Sequence, residues 1–280
     1  MGIRYPDVSG HNAGLDLSGT DVICAKAAQG TGYTSPLYDK QVKAAAQLGF
    51  AYHFLESRHP SEQADHCFQV VGRARGLMVD VEFTQYPDGS PSNPNMGDTY
   101  TFIDRYRHLG GLVHLCYLPH WYWHDHIGAP DLGGLRARNV YLVSSEYPSA
   151  GYSSDGPGWD AYGGSRPLIW QYTSTQLYHH QAIDFNYFKG TVGELRSIVL
   201  TGKRGNPVAD GWRTWEAKGN RSLEEIGKAV GMAPASILRR TVEKWGPFSD
   251  KDAGWLNDVF EGRADPQAAV PDGVKFWVRG

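Results

Sequence analysis

The chain has 280 residues, of which 41% are hydrophobic and 12% aromatic. This is enough apolar material for one large core, or for a large and a small one. The formal net charge of −3 excludes the extended basic field with which proteins bind phosphate backbones, so nucleic acid is not an expected partner. No apolar run reaches the roughly 18 residues of a membrane-spanning helix, so no membrane contact is expected.

Three cysteines, an odd number, lie far apart and inside apolar runs: Cys24, Cys67 and Cys116. This pattern predicts buried free thiols rather than disulfides or a zinc site. The first residues lack the charged-then-apolar pattern of a secretion signal. We therefore expect synthesis in a reducing cytosol without a signal peptide. If the target lies outside the membrane, something else must deliver the chain.

Up to about residue 200, short apolar runs alternate with amphipathic stretches, which is typical of β/α units around a parallel sheet. Eight strands are predicted, a number that favours a closed barrel over an open sheet: Ile3–Ser9, Val22–Ala28, Phe50–Leu55, Leu77–Phe83, Leu112–Leu118, Asn139–Ser144, Pro167–Tyr172 and Ile183–Asn186. The clearest helices are predicted at Tyr38–Leu48, Ser61–Arg75 and Asp98–His108. Later connections are rich in Gly, Pro and Ser, so the second half of the barrel should be poor in helix.

Residues 201–211 mix turn-forming and charged residues without apolar periodicity, which is typical of a linker. We thus predict a barrel domain at residues 1–200 and a second domain at 212–280. The second begins with a strand from Trp212 and continues with two helices, Ser222–Val230 and Ala235–Val242. It ends with a strand at residues 273–278.

Three predicted strands contain an Asp followed two residues later by another polar group: Asp7 and Ser9, Asp80 and Glu82, Asp184 and Asn186. Side chains at i and i+2 of a strand share a face, and at the carboxyl ends of parallel strands that face is the mouth of a barrel. A single Asp at a strand end can equally well cap the next turn. Three such pairs instead predict carboxylates that converge on one pocket.

Glycoside hydrolysis typically uses two carboxyl groups in a cleft. One, as an acid, protonates the leaving oxygen, and the second, as a carboxylate, stabilises the positive charge that develops at the anomeric carbon. Asp80 and Glu82 form the natural pair. Crowding of like charges raises at least one carboxyl pKa, so one partner can stay protonated near neutral pH. The spacing does not decide which partner holds the proton.

Several motifs in order resemble glycoside hydrolase family 25, the cellosyl or Chalaropsis type of lysozyme. They are Lys26-Ala27-Ala28-Gln29-Gly30-Thr31, Ala51-Tyr52-His53-Phe54, Met78-Val79-Asp80-Val81-Glu82-Phe83, Trp170-Gln171-Tyr172 and Asp184-Phe185-Asn186. A lone Asp-x-Glu is common in unrelated proteins, whereas this series is specific. The resemblance covers residues 1 to about 195. One departure is Gln29, where the family usually has Glu, so a structural role for this residue is as plausible as a functional one.

The resemblance implies a flattened, irregular TIM-like (β/α) barrel that hydrolyses the β-1,4 bond from N-acetylmuramic acid to N-acetylglucosamine in peptidoglycan. It implies that Glu82 is the general acid and that Asp80 assists attack by the substrate's own N-acetyl oxygen, with retention through an oxazoline-like intermediate. Asp7 and Asp184 match two further acidic positions of the cleft. The residues predicted to bind substrate are Tyr52, Tyr117, Trp121, Tyr122, Gln171 and Asn186. No cofactor, no metal and no obligate protein partner are expected.

The segment His120–His126 could supply imidazole and carboxylate ligands for zinc. It follows a predicted strand at the barrel mouth, so stacking of a sugar ring on Trp121 or Tyr122 is the alternative hypothesis, beside simple packing. His179 and His180 lie in a polar loop and are expected to be solvated.

The order strand, two helices, strand in residues 212–280 resembles a LysM peptidoglycan-binding module. Two departures are an insertion at 244–267 and a first turn without the usual Asp. The resemblance implies that glycan lies between the loop after the first strand and the loop before the last, at Gly219, Asn220, Arg221, Ser222, Pro271 and Asp272. Tethering such a module to a hydrolase would concentrate the enzyme on the wall.

A wall hydrolase without a secretion signal resembles a phage endolysin, with a bacterial autolysin as the alternative origin. Two other functions are open. A non-catalytic wall-binding protein would have no need of mutually repelling carboxylates such as Asp80 and Glu82. A zinc-dependent peptidoglycan amidase would be inactivated by a chelator.

Overall fold

The computed structural model describes residues 2–203, 212–216, 221–222, 269–270 and 275–279. The chain divides into two compact units, Met1–Pro207 and Val208–Gly280. The last helix of the first unit, α6 (Val192–Thr201), ends at Thr201, so the first residue of the predicted linker is helical.

The first unit is a closed barrel of eight strands, as predicted. Its strands are β1 (Ile3–Val8), β2 (Val22–Gln29), β4 (Leu48–Phe54), β5 (Gly76–Asp80), β8 (Leu112–Tyr117), β9 (Tyr141–Ser145), β10 (Ile169–Tyr178) and β11 (Gln181–Phe188). They follow one another around the ring in the order β1, β11, β10, β9, β8, β5, β4, β2, and pairing of β2 with β1 closes it. Short strands β3 (Tyr33–Thr34), β6 (Thr84–Gln85) and β7 (Pro91–Ser92) lie outside the ring.

One prediction about the barrel is wrong: the last strand does not run parallel to its neighbours. β11 pairs antiparallel with both β10 and β1. The β10–β11 connection is a two-residue turn of His179 and His180, both with positive φ, and such a turn can only reverse the chain. Asp184 consequently lies within β11, directly opposite Asp7 of β1. Because β11 is antiparallel, its first half lies at the barrel mouth, where β1 ends.

The helices are short and concentrate in the first half of the barrel. Their bounds are α1 (Tyr38–Ala44), α2 (Pro60–Val71), α3 (Met96–His108), α4 (His120–Asp125), α5 (Gly133–Ala137) and α6 (Val192–Thr201). The three longest predicted helices are confirmed. Between β9 and β10 the structure has only a 3-10 turn at Pro157–Trp159, which confirms the helix-poor second half.

Alternation along the strands separates two cores. Side chains such as Ile23, Val79 and Val113 face outward and pack against the helices. Inward-facing side chains of the strands form a separate core inside the ring: Tyr5, Val22, Cys24, Leu48, Phe50, Met78, Leu115, Val143, Ile169 and Phe188. Leu195, Ile198 and Val199 of α6 belong to the same core. Gly76 at the start of β5 lies directly against Val199, so α6 covers the end of the barrel at which the parallel strands begin.

The three cysteines are free and buried, as predicted. Cys24 lies in the inner core, and Cys67 and Cys116 lie in the outer one. None of the helices that the structure describes has the length and apolar character needed to span a bilayer.

In the second unit, β12 (Trp212–Glu216) pairs antiparallel with β15 (Lys275–Arg279), so the predicted first and last strands lie side by side. A second pair joins β13 (Arg221–Ser222) to β14 (Ala269–Val270), with Arg221 opposite Val270. The predicted helices and the insertion at 244–267 fall almost entirely outside the described residues.

Candidate active site

Four carboxyl groups meet at the open end of the barrel. Asp7 and Asp80 occupy the last inward-facing positions of β1 and β5, and Asp184 lies opposite Asp7 on β11. Glu82 follows β5 by two residues and continues the face of Asp80. The structure therefore brings together all four residues that were predicted as catalytic.

Burial of these carboxyls changes their acidity. It raises the pKa of Glu82 from 4.5 to about 7, and the nearby Asp184 charge adds to the rise. It also raises the pKa of Asp184 from 3.8 to about 6. The pKa values of Asp7 and Asp80 lie well above 3.8, first because of burial and then because of Asp184 and Glu82 respectively. The Glu82 carboxyl can therefore remain protonated up to about neutral pH, as a general acid must.

A cation that the sequence analysis did not single out lies among the carboxyls. Lys26 is the inward-facing residue of β2 after Val22 and Cys24, and its ammonium lowers the pKa of Asp80, Glu82 and Asp7. Lys26 Nζ donates to Gln29 Oε1 at 2.6 Å, so Gln29 has a contact within the site. The signal in the sequence was a lysine inside the otherwise apolar run Val22–Ala28.

Polar and aromatic side chains complete the inner wall of the mouth. Tyr117 donates its hydroxyl to Gln171 Oε1 at 2.9 Å, and the hydroxyl of Tyr147 donates to the same oxygen. Tyr52 is the inward neighbour of Lys26 across the β2–β4 pair. Asn186 is 1% exposed, its amide oxygen has no partner among the described residues, and its amide group lowers the pKa of the neighbouring Asp7 carboxyl. Tyr52, Tyr117, Gln171 and Asn186 thus lie in the inner wall beside the carboxyls, the last three of them buried; their binding role stays a prediction.

The two aromatic candidates of α4 have opposite environments. Trp121 is 42% exposed and packs edge-on against His126 at 5.3 Å between ring centroids, and Phe83 contacts the same imidazole. Tyr122 is fully buried and donates its hydroxyl to the Pro94 carbonyl at 3.0 Å. The structure corrects the prediction for Tyr122, because a ring enclosed in the outer core has no face for a sugar.

Within residues 2–203, no group of three His, Cys, Asp or Glu side chains is arranged to hold a metal ion. His120, His124 and His126 are exposed, and their rings contact neighbouring aromatic rings or, for His124, Asp125. His179 and His180 are exposed, as expected. Of the predicted wall-binding positions, Arg221 and Ser222 lie in β13, whereas Gly219, Asn220, Pro271 and Asp272 lie outside the described residues.

Known structures share the barrel. Similar folds are found in a muramidase from Trichobolus zukalii, at 22% identity over 71% of this chain and 99% of that one, with a TM-score of 0.57. The bacterial lysozyme from Streptomyces coelicolor is similar at 18% identity over 72% and 99%, also with a TM-score of 0.57. The catalytic domain of endolysin ply40 from bacteriophage P40 of Listeria monocytogenes is similar at 15% identity over 72% and 98%, with a TM-score of 0.51.

No curated protein sequence matches this chain significantly. A family match does exist, and it spans more than half of the chain: residues 7–180 match Glycosyl hydrolases family 25. That range contains Asp7, Asp80 and Glu82 and ends just before Asp184. The chain therefore belongs to glycosyl hydrolase family 25 and is a glycoside hydrolase.

Proposed function

We propose that the protein is a peptidoglycan muramidase that hydrolyses the β-1,4 bond between N-acetylmuramic acid and N-acetylglucosamine. The observation that carries this proposal is the position of Glu82, a buried acid with a pKa of about 7 beside Asp80. A protonated carboxyl next to a second carboxyl is what cleavage of a glycosidic bond requires. The muramidase and the lysozymes with the same fold support the choice of substrate.

In the proposed reaction, the Glu82 carboxyl donates its proton to the glycosidic oxygen as the bond to the anomeric carbon breaks. The N-acetyl oxygen of the muramic acid attacks that carbon from the other face, and ionised Asp80 accepts a hydrogen bond from the N-acetyl N–H. The resulting oxazoline ring carries the positive charge that Asp80 stabilises. Glu82, now ionised, takes a proton from water, whose oxygen opens the ring with retention.

Unpartnered polar atoms support a polar, hydrogen-bonding substrate. Asp80 Oδ1 and Asn186 Oδ1 are buried without partners among the described residues. Such groups cost free energy unless a ligand or water satisfies them. A sugar with N-acetyl and hydroxyl groups supplies both donors and acceptors. Asp7 and Asp184, which face each other across the β1–β11 pair, would bind sugar hydroxyls or hold water.

The test is mass spectrometry of borohydride-reduced fragments after digestion of purified peptidoglycan. Wild-type protein should create new reduced muramic acid ends. Glu82→Gln should lower their rate of formation by about 100- to 10,000-fold, because the amide has no proton to donate at neutral pH. Glu62→Gln is the matched control, since Glu62 is an exposed residue of α2 and should leave the rate unchanged.

Other products would replace the proposal. Reduced glucosamine ends would identify a glucosaminidase. Released peptides without new reducing ends, abolished by a chelator, would identify a zinc amidase. Binding to walls without any product would identify a non-catalytic wall-binding protein.

We further propose that the second unit is a LysM-like wall-binding module. Support comes from its order of strands and from the β13–β14 pair, which joins the segments next to the two predicted glycan-binding loops. In the full-length protein, the double variant Asn220→Ala with Asp272→Ala should weaken co-sedimentation with intact walls and spare hydrolysis of soluble fragments. Equal loss on both substrates would contradict a wall-binding role.

The biological setting that we propose is phage-induced lysis, with synthesis in the host cytoplasm and action at the wall after release by another protein. Support comes from the three buried reduced cysteines, which suit folding in a reducing compartment. Expression in a bacterial host should lyse cells only when a membrane-permeabilising protein is made as well. Lysis by the protein alone would favour an exported autolysin.

A further inference from the structure

A short hydrogen-bonded chain of side chains runs from Lys26, beside the carboxyl cluster, to the loop after β4. Lys26 Nζ donates to Gln29 Oε1 at 2.6 Å, and Gln29 Nε2 donates to Glu56 Oε1 at 3.1 Å. Lys26 Nζ also lies 4.6 Å from the centre of the Phe54 ring. Two direct partners, the Gln29 amide and the Phe54 ring, thus hold the ammonium at the edge of the mouth. Neither Gln29 nor Glu56 belongs to the proton-transfer chemistry described above.

The backbone of β2 is irregular at the point where this chain begins. Lys26 lies opposite Tyr52 of β4, whereas Ala28 lies opposite His53, so β2 contains one extra residue at Ala27. In a regular strand, residues three apart point to opposite faces. The β-bulge compensates for the odd spacing and allows the side chains of Lys26 and Gln29 to meet. The bulge therefore makes the contact between ammonium and amide possible.

A glycine makes room for the far end of the chain. Gly30 has a φ of +54°, and a Cβ at this position would collide with the carboxylate of Glu56. The Gly30 N–H donates to the Phe54 carbonyl at 3.3 Å, which keeps β2 close to the end of β4. Glu56 therefore lies against backbone without a side chain, where its carboxylate can accept from Gln29.

We propose that Lys26, anchored through Gln29 to Glu56, is a positioning residue that keeps Asp80 ionised while Glu82 holds its proton. The reaction needs both states at once, and repulsion among four buried carboxyls favours protonation of all of them. A fixed positive charge opposes this repulsion. The chain from Lys26 to Glu56 prevents the flexible lysine from moving out into solvent. This inference rests on the proposed acid role of Glu82.

The groups that can respond to Lys26 come from every element around it. The tyrosines Tyr52 and Tyr117 stay neutral because burial raises their pKa well above 10. Burial lowers the pKa of Lys26 itself, and the carboxylates, Asp80 first, oppose that change. Among the described residues, the ionisable groups that interact with the ammonium or with the carboxyl pair are Asp7, Cys24, Tyr33, Tyr52, His53, Glu56, Asp80, Glu82, Cys116, Tyr117, Tyr122, Tyr147 and Asp184.

The sign of the effect follows from these charges. Lys26 lowers the pKa of Asp80 and of Glu82, so its removal raises both. Activity needs Asp80 ionised, which sets the acid limb of the pH profile, and Glu82 protonated, which sets the alkaline limb. Lys26→Met should therefore move both limbs of the kcat/KM profile to higher pH, by about one unit or more. Lys26→Arg retains the charge and should keep the wild-type profile, even at a lower kcat.

The experiment measures these profiles on purified peptidoglycan with full-length protein, after circular dichroism has shown that each variant is folded. Gln29→Leu keeps the lysine but breaks its anchor, and should shift both limbs in the same direction by a smaller amount. Lys43→Met, at an exposed position of α1, is the control and should change nothing. An unshifted profile in both Lys26→Met and Gln29→Leu would overturn the proposal. So would an equal shift in Lys26→Arg and Lys26→Met.

These outcomes are separate from failure of the proposed function. If wild-type protein forms no new muramic acid ends, the acid role of Glu82 fails whatever Lys26 does. If those ends form and Glu82→Gln abolishes them, an unshifted Lys26→Met profile removes only the positioning role.

Discussion

Inside the barrel, two layers of inward-facing side chains follow one another along the same strands: an apolar layer deep in the ring and, two residues nearer to the mouth, an outer layer of polar and charged side chains. Two residues nearer to the mouth, Met78 is followed by Asp80 on β5, Cys24 by Lys26 on β2 and Phe50 by Tyr52 on β4. The deeper layer is apolar and stabilises the fold by burial. The outer layer buries four carboxyl groups beside the single ammonium of Lys26, and repulsion among the carboxylates opposes folding. The alternation of side chains along the strands thus places the carboxyls of the candidate site above an apolar core that is stable without them.

The deeper layer should give the largest change in stability. Phe50 is fully buried and packs edge-on against Tyr5, at 5.9 Å between ring centroids. Phe50→Ala should lower the free energy of unfolding by about 3–5 kcal/mol, because it removes a large buried ring and leaves a cavity. Chemical denaturation measures this loss. Phe83→Ala, at a ring that is 37% exposed, should cost far less, and a similar loss at both sites would contradict the division into layers.

The outer layer should show the opposite sign. The pKa of Glu82 is raised from 4.5 to about 7 in the folded protein, so the folded state binds this proton more tightly than the unfolded chain does. Ionisation of Glu82 therefore destabilises the fold, with no cost below pH 4.5 and the full cost above pH 7. Glu82→Gln should stabilise the protein at pH 8 by about 1–3 kcal/mol and leave its stability unchanged at pH 4.

Thermal unfolding of wild type and Glu82→Gln across this pH range measures the difference. A variant that is less stable than wild type at pH 8 would mean that Glu82 makes favourable native contacts in its ionised form. Glu82→Gln is thus expected to lose activity and to gain stability at pH 8, whereas substitutions in the deeper layer are expected to lose stability.

The smallest effect is expected at the rim. Trp121 exposes a large part of its ring beside the mouth, whereas Tyr122 is enclosed. If a sugar stacks on Trp121, Trp121→Ala should lower kcat/KM about three- to tenfold, which corresponds to about 1 kcal/mol, without loss of stability. Tyr122→Phe is the converse control: it should lower stability by about 1 kcal/mol through the lost bond to Pro94 and spare activity. The reverse pattern would exchange the roles of the two rings.

The sequence was sufficient to predict the eight strands and the four carboxyls, because both follow from alternation of apolar and polar residues over short distances. It was not sufficient for the direction of β11. The turn at His179 and His180 contains neither Gly nor Asn, the usual residues of a two-residue hairpin, so nothing local indicated a reversal.

The hydrogen-bonded chain from Lys26 through Gln29 to Glu56 could not be predicted from local sequence patterns either. Gln29 and Glu56 are 27 residues apart in sequence, and the bulge at Ala27 that aligns Lys26 with Gln29 depends on pairing with β4. Trp121 and Tyr122 are adjacent in a helix of six residues, and only the packing of that helix decides which ring is enclosed.

The β1–β11 pair has a consequence for synthesis of the protein. Asp7 and Asp184 face each other, yet 176 residues separate them along the chain, and β1 and β11 are the neighbouring strands of the ring that lie furthest apart in sequence. Contacts of this kind form late and make folding slow. While a ribosome is still adding residues before β11, the mouth lacks one wall and one carboxylate. The nascent chain is therefore expected to be inactive until the barrel has been translated completely, so that no partly made product can attack a wall.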